Sequence, residues 1–273
     1  LGEGLVMKLA IKSSVLLGVL GALVMSAPAW SAEPMARMTD DDVEALAKTI
    51  GKQHQAFERA LDSKLKRSIL RGPGGEVRVD YYLDDLGDSI EALGDRFTGS
   101  YSASGEATDV LKRADFMNSY VHDNPSMKGA NEWDVLGASL QQLAGAYGTS
   151  FPLPDDAAAR RIGDGELEDA ATALSKFSKD LPKAIKKETK GMDELEDAVD
   201  GLETELKSMS GMSKTLASRI RSGKPATAEA RQLVESASSI EGLIGTPGMP
   251  AGVAEAWEAG ARDVAKVEQA FGL

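Results

Sequence analysis

Glu132-Trp133-Asp134-Val135-Leu136-Gly137-Ala138-Ser139-Leu140-Gln141-Gln142-Leu143-Ala144-Gly145-Ala146-Tyr147-Gly148 decides the fold. Its large apolar residues stand at 133, 136, 140, 143 and 147. Steps of three and four place them in one stripe along one side of a helix, close to the seam of a bundle. Gly148 stands where a glycine ends a helix in the left-handed conformation.

The same stretch returns near the end of the chain. Trp133, Leu140, Leu143, Ala146, Tyr147 and Gly148 fall on Trp257, Val264, Val267, Ala270, Phe271 and Gly272 at a shift of 124. Working backwards, Ala107, Val110, Ala114, Met117 and Val121 fall on Ala230, Leu233, Ala237, Ile240 and Ile244. The turn between these helices keeps its proline and methionine, as Asn124-Pro125-Ser126-Met127 and Thr246-Pro247-Gly248-Met249. Val79, Leu83, Leu86, Leu93 and Phe97 match Leu202, Leu206, Met209, Leu216 and Ile220, and Val43, Ala47, Ile50, Phe57 and Leu61 match Leu167, Ala171, Leu174, Leu181 and Ile185. Self-similarity at one period is read before anything else. It predicts an all-α chain of about eight helices, a tandem duplication of a four-helix antiparallel unit. Strand alternation is absent over any useful length.

Punctuation divides the chain accordingly: a leader over 1–32, a first repeat over 33–148, a Pro-rich linker over 149–163 carrying Phe151-Pro152-Leu153-Pro154, and a second repeat over 164–273. Thr39-Asp40-Asp41-Asp42 offers an N-cap with an acidic third residue, and Asn131 precedes Glu132 in the same manner. Pro182 predicts a kink in the first helix of the second repeat. Gly72-Pro73-Gly74-Gly75 reads as an exposed loop between helices.

The leader has the layout of a secretory signal. Lys8 and Lys12 precede an apolar run from Val15 to Met25, and Ala27-Pro28-Ala29 and Trp30-Ser31-Ala32 supply small residues for cleavage after Ala29 or Ala32. About 11 apolar residues fall short of the roughly 20 that a spanning helix needs. A periplasmic or secreted location follows, without a stable membrane anchor after cleavage; a translation start at Met7 fits this layout.

Copy one also resembles a family of uncharacterised exported bacterial helical-bundle proteins. Phe57-Glu58-Arg59-Ala60-Leu61-Asp62, Asp95-Arg96-Phe97, Asp109-Val110-Leu111-Lys112-Arg113-Ala114, Glu132-Trp133-Asp134 and Leu143-Ala144-Gly145-Ala146-Tyr147 carry the resemblance, over about 57–151. It implies export and a helical fold, and no activity. In copy two Asp95-Arg96-Phe97 becomes Ser218-Arg219-Ile220.

Charge excludes one class of partner. The formal net charge is -12, with no basic stripe interleaved with aromatics, so nucleic acid is not expected. The chain has no cysteine, which excludes disulfides, thiolate metal sites, a thiol nucleophile and a lipid anchor on cysteine.

No motif supplies catalysis. Glu-x-x-His pairs, zinc motifs, a nucleophile elbow, a P-loop and a dinucleotide fingerprint are all missing. Catalytic and metal-ligating residues are therefore not assigned, and no cofactor is expected. Met209 and Met212 have the spacing of a thioether pair but read as core. Asp84, Asp85, Asp88 and Glu91 form an acidic helix face that reads as solvated. Three residues remain for ligand or partner contact. His54 lies on an apolar seam where its counterpart is Ser178. Trp133 and Trp257 open the last helix of each repeat, as aromatic contact surfaces or as core anchors.

The expected function is a non-enzymatic exported bundle, structural or binding a protein partner in the cell envelope. The alternative is a small-ligand, haem or metal-binding periplasmic bundle, with His54 as ligand.

Overall fold

The computed structural model describes residues 37–72 and 75–273. The leader expected over 1–32 lies outside them. Among the described residues the order is α1 (Asp40–Ala60), α2 (Ser63–Lys66), β1 (Ile69–Gly72), β2 (Gly75–Arg78), α3 (Val79–Arg96), α4 (Ser104–Asp123), α5 (Ala130–Ala146), α6 (Asp164–Glu188), a 3-10 turn (Asp193–Leu195), α7 (Glu196–Arg221), α8 (Thr227–Ile244) and α9 (Ala251–Phe271). The chain is mostly helical. No described helix is long and apolar enough to cross a membrane.

The eight long helices close into two rings. In the first, α1 packs on α3 and α5, and α4 packs on the same two. In the second, α6 packs on α7 and α9, and α8 packs on the same two. Within each ring, helices consecutive among these eight lie side by side, the simplest four-helix arrangement. Each ring closes on its own apolar cluster, because stripes spaced by three and four cannot be covered except by another helix.

In the first ring Val43, Ile50, Phe57, Leu83, Leu93, Val110, Leu136 and Leu143 are all removed from water. Trp133 is 2% exposed and meets the Phe57 ring edge-on, with centroids 5.0 Å apart. In the second ring Leu167, Leu174, Leu206, Met209, Leu233 and Val267 are fully buried.

The helix ends follow their residues, with one exception. Thr39 caps α1: its hydroxyl accepts the Asp42 N–H at 3.2 Å and its own N–H donates to Asp42 Oδ2 at 3.1 Å. Gly148 and Gly272 take positive φ after α5 and α9. Asn131 does not cap α5. That helix begins two residues earlier than such a cap would start it, at Ala130, behind Gly129 at φ 94. Only glycine takes this conformation freely, and a side chain there would press on Phe57 and Leu61. α6 continues through Pro182 as one helix.

The expected loop around Gly72 is instead the end of a hairpin. Ile69 pairs with Arg78, Leu70 with Val77 and Gly72 with Gly75, antiparallel. Leu70 is buried while Ile69 is exposed, so the pair has one inner face.

The segment 149–163 is anchored rather than loose. Phe151, Leu153, Ala159 and Ile162 are buried. The Arg160 N–H donates to the Tyr147 carbonyl at 2.9 Å, and the Ala159 N–H donates to Thr108 Oγ1 at 2.9 Å.

Candidate functional site

Two features stand out in polarity and geometry. The first is the point where the two rings are fastened. Asp40 opens α1 and Asp164 opens α6. The Asp40 N–H donates to Asp164 Oδ2 at 2.9 Å, and the Asp164 N–H donates to Asp40 Oδ2 at 2.8 Å. Each carboxylate thus satisfies an orphan amide at the other helix's start, where the macrodipole also favours negative charge.

Two arginines complete the cluster. Arg161 reaches Asp40 Oδ1 at 2.7 Å and the Met38 carbonyl at 2.8 Å. Arg37 pairs with Asp164 Oδ1 and reaches the Ile162 carbonyl at 2.6 Å. Burial above all, and then the charge of Arg161, push the Arg37 guanidinium below its ordinary pKa; the Asp164 carboxylate opposes them. The signal for this cluster is plain in the sequence: Arg37-Met38-Thr39-Asp40 and Arg161-Ile162-Gly163-Asp164, at the same shift of 124. Comparing apolar positions alone passes over it.

The second feature is a groove of about 590 Å³ between α1 and α3. Glu44, Lys48, Gly51, His54 and Glu58 come from α1, and Asp84, Gly87, Asp88, Glu91, Gly94 and Asp95 from α3. The apolar stripes of both helices turn inward to the core, leaving these residues on the shoulder between them. The glycines leave the space that side chains would fill. A methyl group at Gly87 would stand 3.1 Å from His54 Cε1.

His54 is the buried polar residue of this wall, at 5% exposure. Its Nε2 is sealed from water and finds no hydrogen-bond partner, an uncommon condition for a buried ring nitrogen. Burial chiefly lowers its pKa; the charges of Glu58 and Asp84 and the Leu83 carbonyl oppose that. Glu44 pairs with Lys48 and Glu58 with Lys66. Among the described residues, Asp84, Asp88, Glu91 and Asp95 form no ion pair.

The corresponding seam of the second ring, between α6 and α7, differs. Ser175 and Ser210 stand where Gly51 and Gly87 stand, and bridge the helices with their hydroxyls 3.3 Å apart. Ser178, at the place of His54, is buried and donates to the Leu174 carbonyl at 2.8 Å. The groove beside them, about 530 Å³, carries Lys176, Lys179, Lys214 and Arg221 with Asp180. The Lys214 charge lowers the Lys179 pKa.

The structure places the two tryptophans in the cores. Trp133 Nε1–H donates to Asn118 at 3.1 Å. Trp257, 5% exposed, donates to Glu241 at 3.3 Å and packs on Phe177. Neither lines His54's groove. Among the described residues, no three His, Cys, Asp or Glu side chains are grouped to hold a metal ion. Sequence reading had the acidic face of α3 and the position of His54, but not their meeting in one groove. Comparison with protein-family profiles, curated proteins and solved structures returns no match.

Proposed function

We propose that the chain is a non-enzymatic, exported helical-bundle protein that works by binding, and that the α1–α3 groove is its contact site. The observation that carries this reading is the groove itself: an open, glycine-lined trough with four carboxylates on one wall that form no ion pair, and with the buried His54 ring beside them. A concave site with convergent polar groups is the ordinary form of a binding surface.

The architecture we propose for it is a tandem duplication of one four-helix unit. What supports this is the reciprocity around Asp40 and Asp164. Residue 37 binds 164 and 162, and residue 161 binds 40 and 38, at a constant offset of 124. Such exchange of equivalent contacts is how two copies meet about a twofold axis. Burial agrees: Val79, Leu83, Leu86, Leu93 and Phe97 are core residues, as are Leu202, Leu206, Met209, Leu216 and Ile220.

The test is cross-linking in the intact cell. Asp88→Lys with Glu91→Lys should abolish a cross-link made by the native chain from a residue at the groove's rim. Lys179→Glu with Lys214→Glu should leave it in place. A cross-link that survives the first pair of changes places contact elsewhere.

A further inference from the structure

We propose that His54 is an acid-operated latch of the groove: once protonated, its ring leaves the α1–α3 seam and the two helices part beside it. The inference concerns regulation of the contact site and rests on that reading of the groove. His54 is 5% exposed, and its Nε2 is sealed from water with no hydrogen-bond partner. A neutral imidazole can leave that nitrogen as a bare lone pair. An imidazolium carries a hydrogen on both nitrogens, so the same seat would hold an N–H without an acceptor. A buried charge is tolerated only when it is paired and hydrogen-bonded. The protonated ring therefore has no place in the closed seam.

The way out passes a glycine. One edge of the ring lies across Gly87, where a Cβ would stand 3.1 Å from Cε1 and 3.6 Å from Nδ1. Gly87 itself lines the groove, so its missing side chain leaves the ring a passage into about 590 Å³ of open space. On the walls of that space, Glu58 of α1 and Asp84 of α3 already favour the charged ring. Glu58 also holds Lys66 at 3.2 Å and Glu44 holds Lys48, whereas Asp84 and Asp88 form no ion pair among the described residues. The other helix packed on α1 is α5, whose ionisable groups are Glu132 and Asp134 alone, both in its opening turns. The neutral ring is thus seated by packing, and the charged ring is drawn towards Asp84.

The second ring is an internal control. Ser178 stands at the place of His54 and donates to the Leu174 carbonyl at 2.8 Å. Ser175 and Ser210 bridge the seam where Gly51 and Gly87 leave it bare. The buried residues of α6 and α7 are apolar or serine, so no group in that seam titrates near neutral pH.

Hydrogen exchange of the full chain at about pH 7 and 5.5, corrected for the intrinsic effect of pH on exchange, tests the proposal. The open form takes up the proton near the ordinary 6.5 and the closed form does not, so opening should rise about fivefold over that interval. The rise is expected in α1 around His54 and in α3 around Gly87, and not in α6 and α7. His54→Gln, which stays neutral, should remove it. So should His54→Ser, which copies the second ring, and thermal melts at neutral pH will show that the fold is kept. The chain has two histidines, and His122 is exposed. With His122 as reference, the His54 ring carbons should take the shifts of a solvated imidazolium as exchange rises. The cross-link from the groove's rim should weaken in acid in the native chain and hold in His54→Gln.

An acid response that persists in both variants overturns the proposal. So does an equal response in α6 and α7, or a His54 ring that titrates while α1 and α3 stay closed. If exchange shows no opening while the groove-dependent cross-link persists, the latch falls and the contact site stands. If the opening is seen and no cross-link forms at either pH, the latch stands and the contact site falls.

Discussion

Asp40 and Asp164 each receive the backbone N–H of the other, at 2.9 and 2.8 Å, so two helix starts share a single pair of carboxylates. Arg161 and Arg37 neutralise that pair from either side. Four charges so largely withdrawn from water hold only because every one has an opposite neighbour and further hydrogen bonds.

Removing one member should therefore be costly. Arg161 is 2% exposed at its side chain, and Arg161→Ala leaves Asp40 buried without its countercharge. A loss of about 3–5 kcal/mol is expected in urea denaturation. Asp40→Asn and Asp164→Asn should be strongly non-additive, with a coupling above about 0.5 kcal/mol. Additive losses would mean that the two carboxylates act independently.

Two glycines should respond oppositely to the same methyl group. At Gly165 in α6 a Cβ would stand 2.7 Å from the Gly99 carbonyl oxygen, a backbone atom that cannot swing aside. Gly165→Ala should cost about 1–3 kcal/mol through overpacking. At Gly211 in α7 nothing lies within 4 Å. Gly211→Ala should stabilise by about 0.5–1 kcal/mol through helix propensity. Paired thermal melts read both signs.

His54 ties stability to pH with a definite sign. Burial lowers its folded pKa below the ordinary 6.5, and unfolding restores it. Below pH 6.5 the unfolded chain takes up a proton that the folded chain refuses, so stability falls as pH drops from 6.5 towards the folded value. Above 6.5 the group contributes no slope. In His54→Gln the urea midpoint should fall less between about pH 7 and 5.5 than in the native chain. Equal slopes would show that the imidazole protonates freely in the fold.

The purified protein should carry no stoichiometric metal and show no Soret band. Elemental analysis and an absorbance spectrum check this in one preparation. A Soret band would show a bound haem and overturn the cofactor-free reading, with His54 the first ligand to test.

Much of this was legible because helices write their packing into a period of three and four. The apolar residues from Val43 to Val267 that line the two cores can be marked on the sequence alone. The hairpin at Ile69–Arg78 was not legible, since four-residue strands beside glycines leave too few alternations to count. The cap of α5 misled because Asn131 is a good cap by chemistry, while Gly129 is chosen by the closeness of Phe57 and Leu61. The groove is harder still. Gly51 and Gly87 are far apart in sequence, and only the crossing of α1 and α3 makes their missing side chains into a space.

The clasp also orders events in time. Residues 37–40 are made 124 residues before residues 161–164, which at about 5–20 residues per second is an interval of roughly 6 to 25 s. Helices α1 to α5 can gather during that wait, yet Arg37 and Asp40 stand without the partners that neutralise them. Hydrogen exchange on a ribosome-arrested chain ending before residue 161 would read an open first turn of α1. The earliest turn of the fold to be synthesised is thus among the last to be locked, and a nascent chain cut short of its middle cannot seal its own beginning.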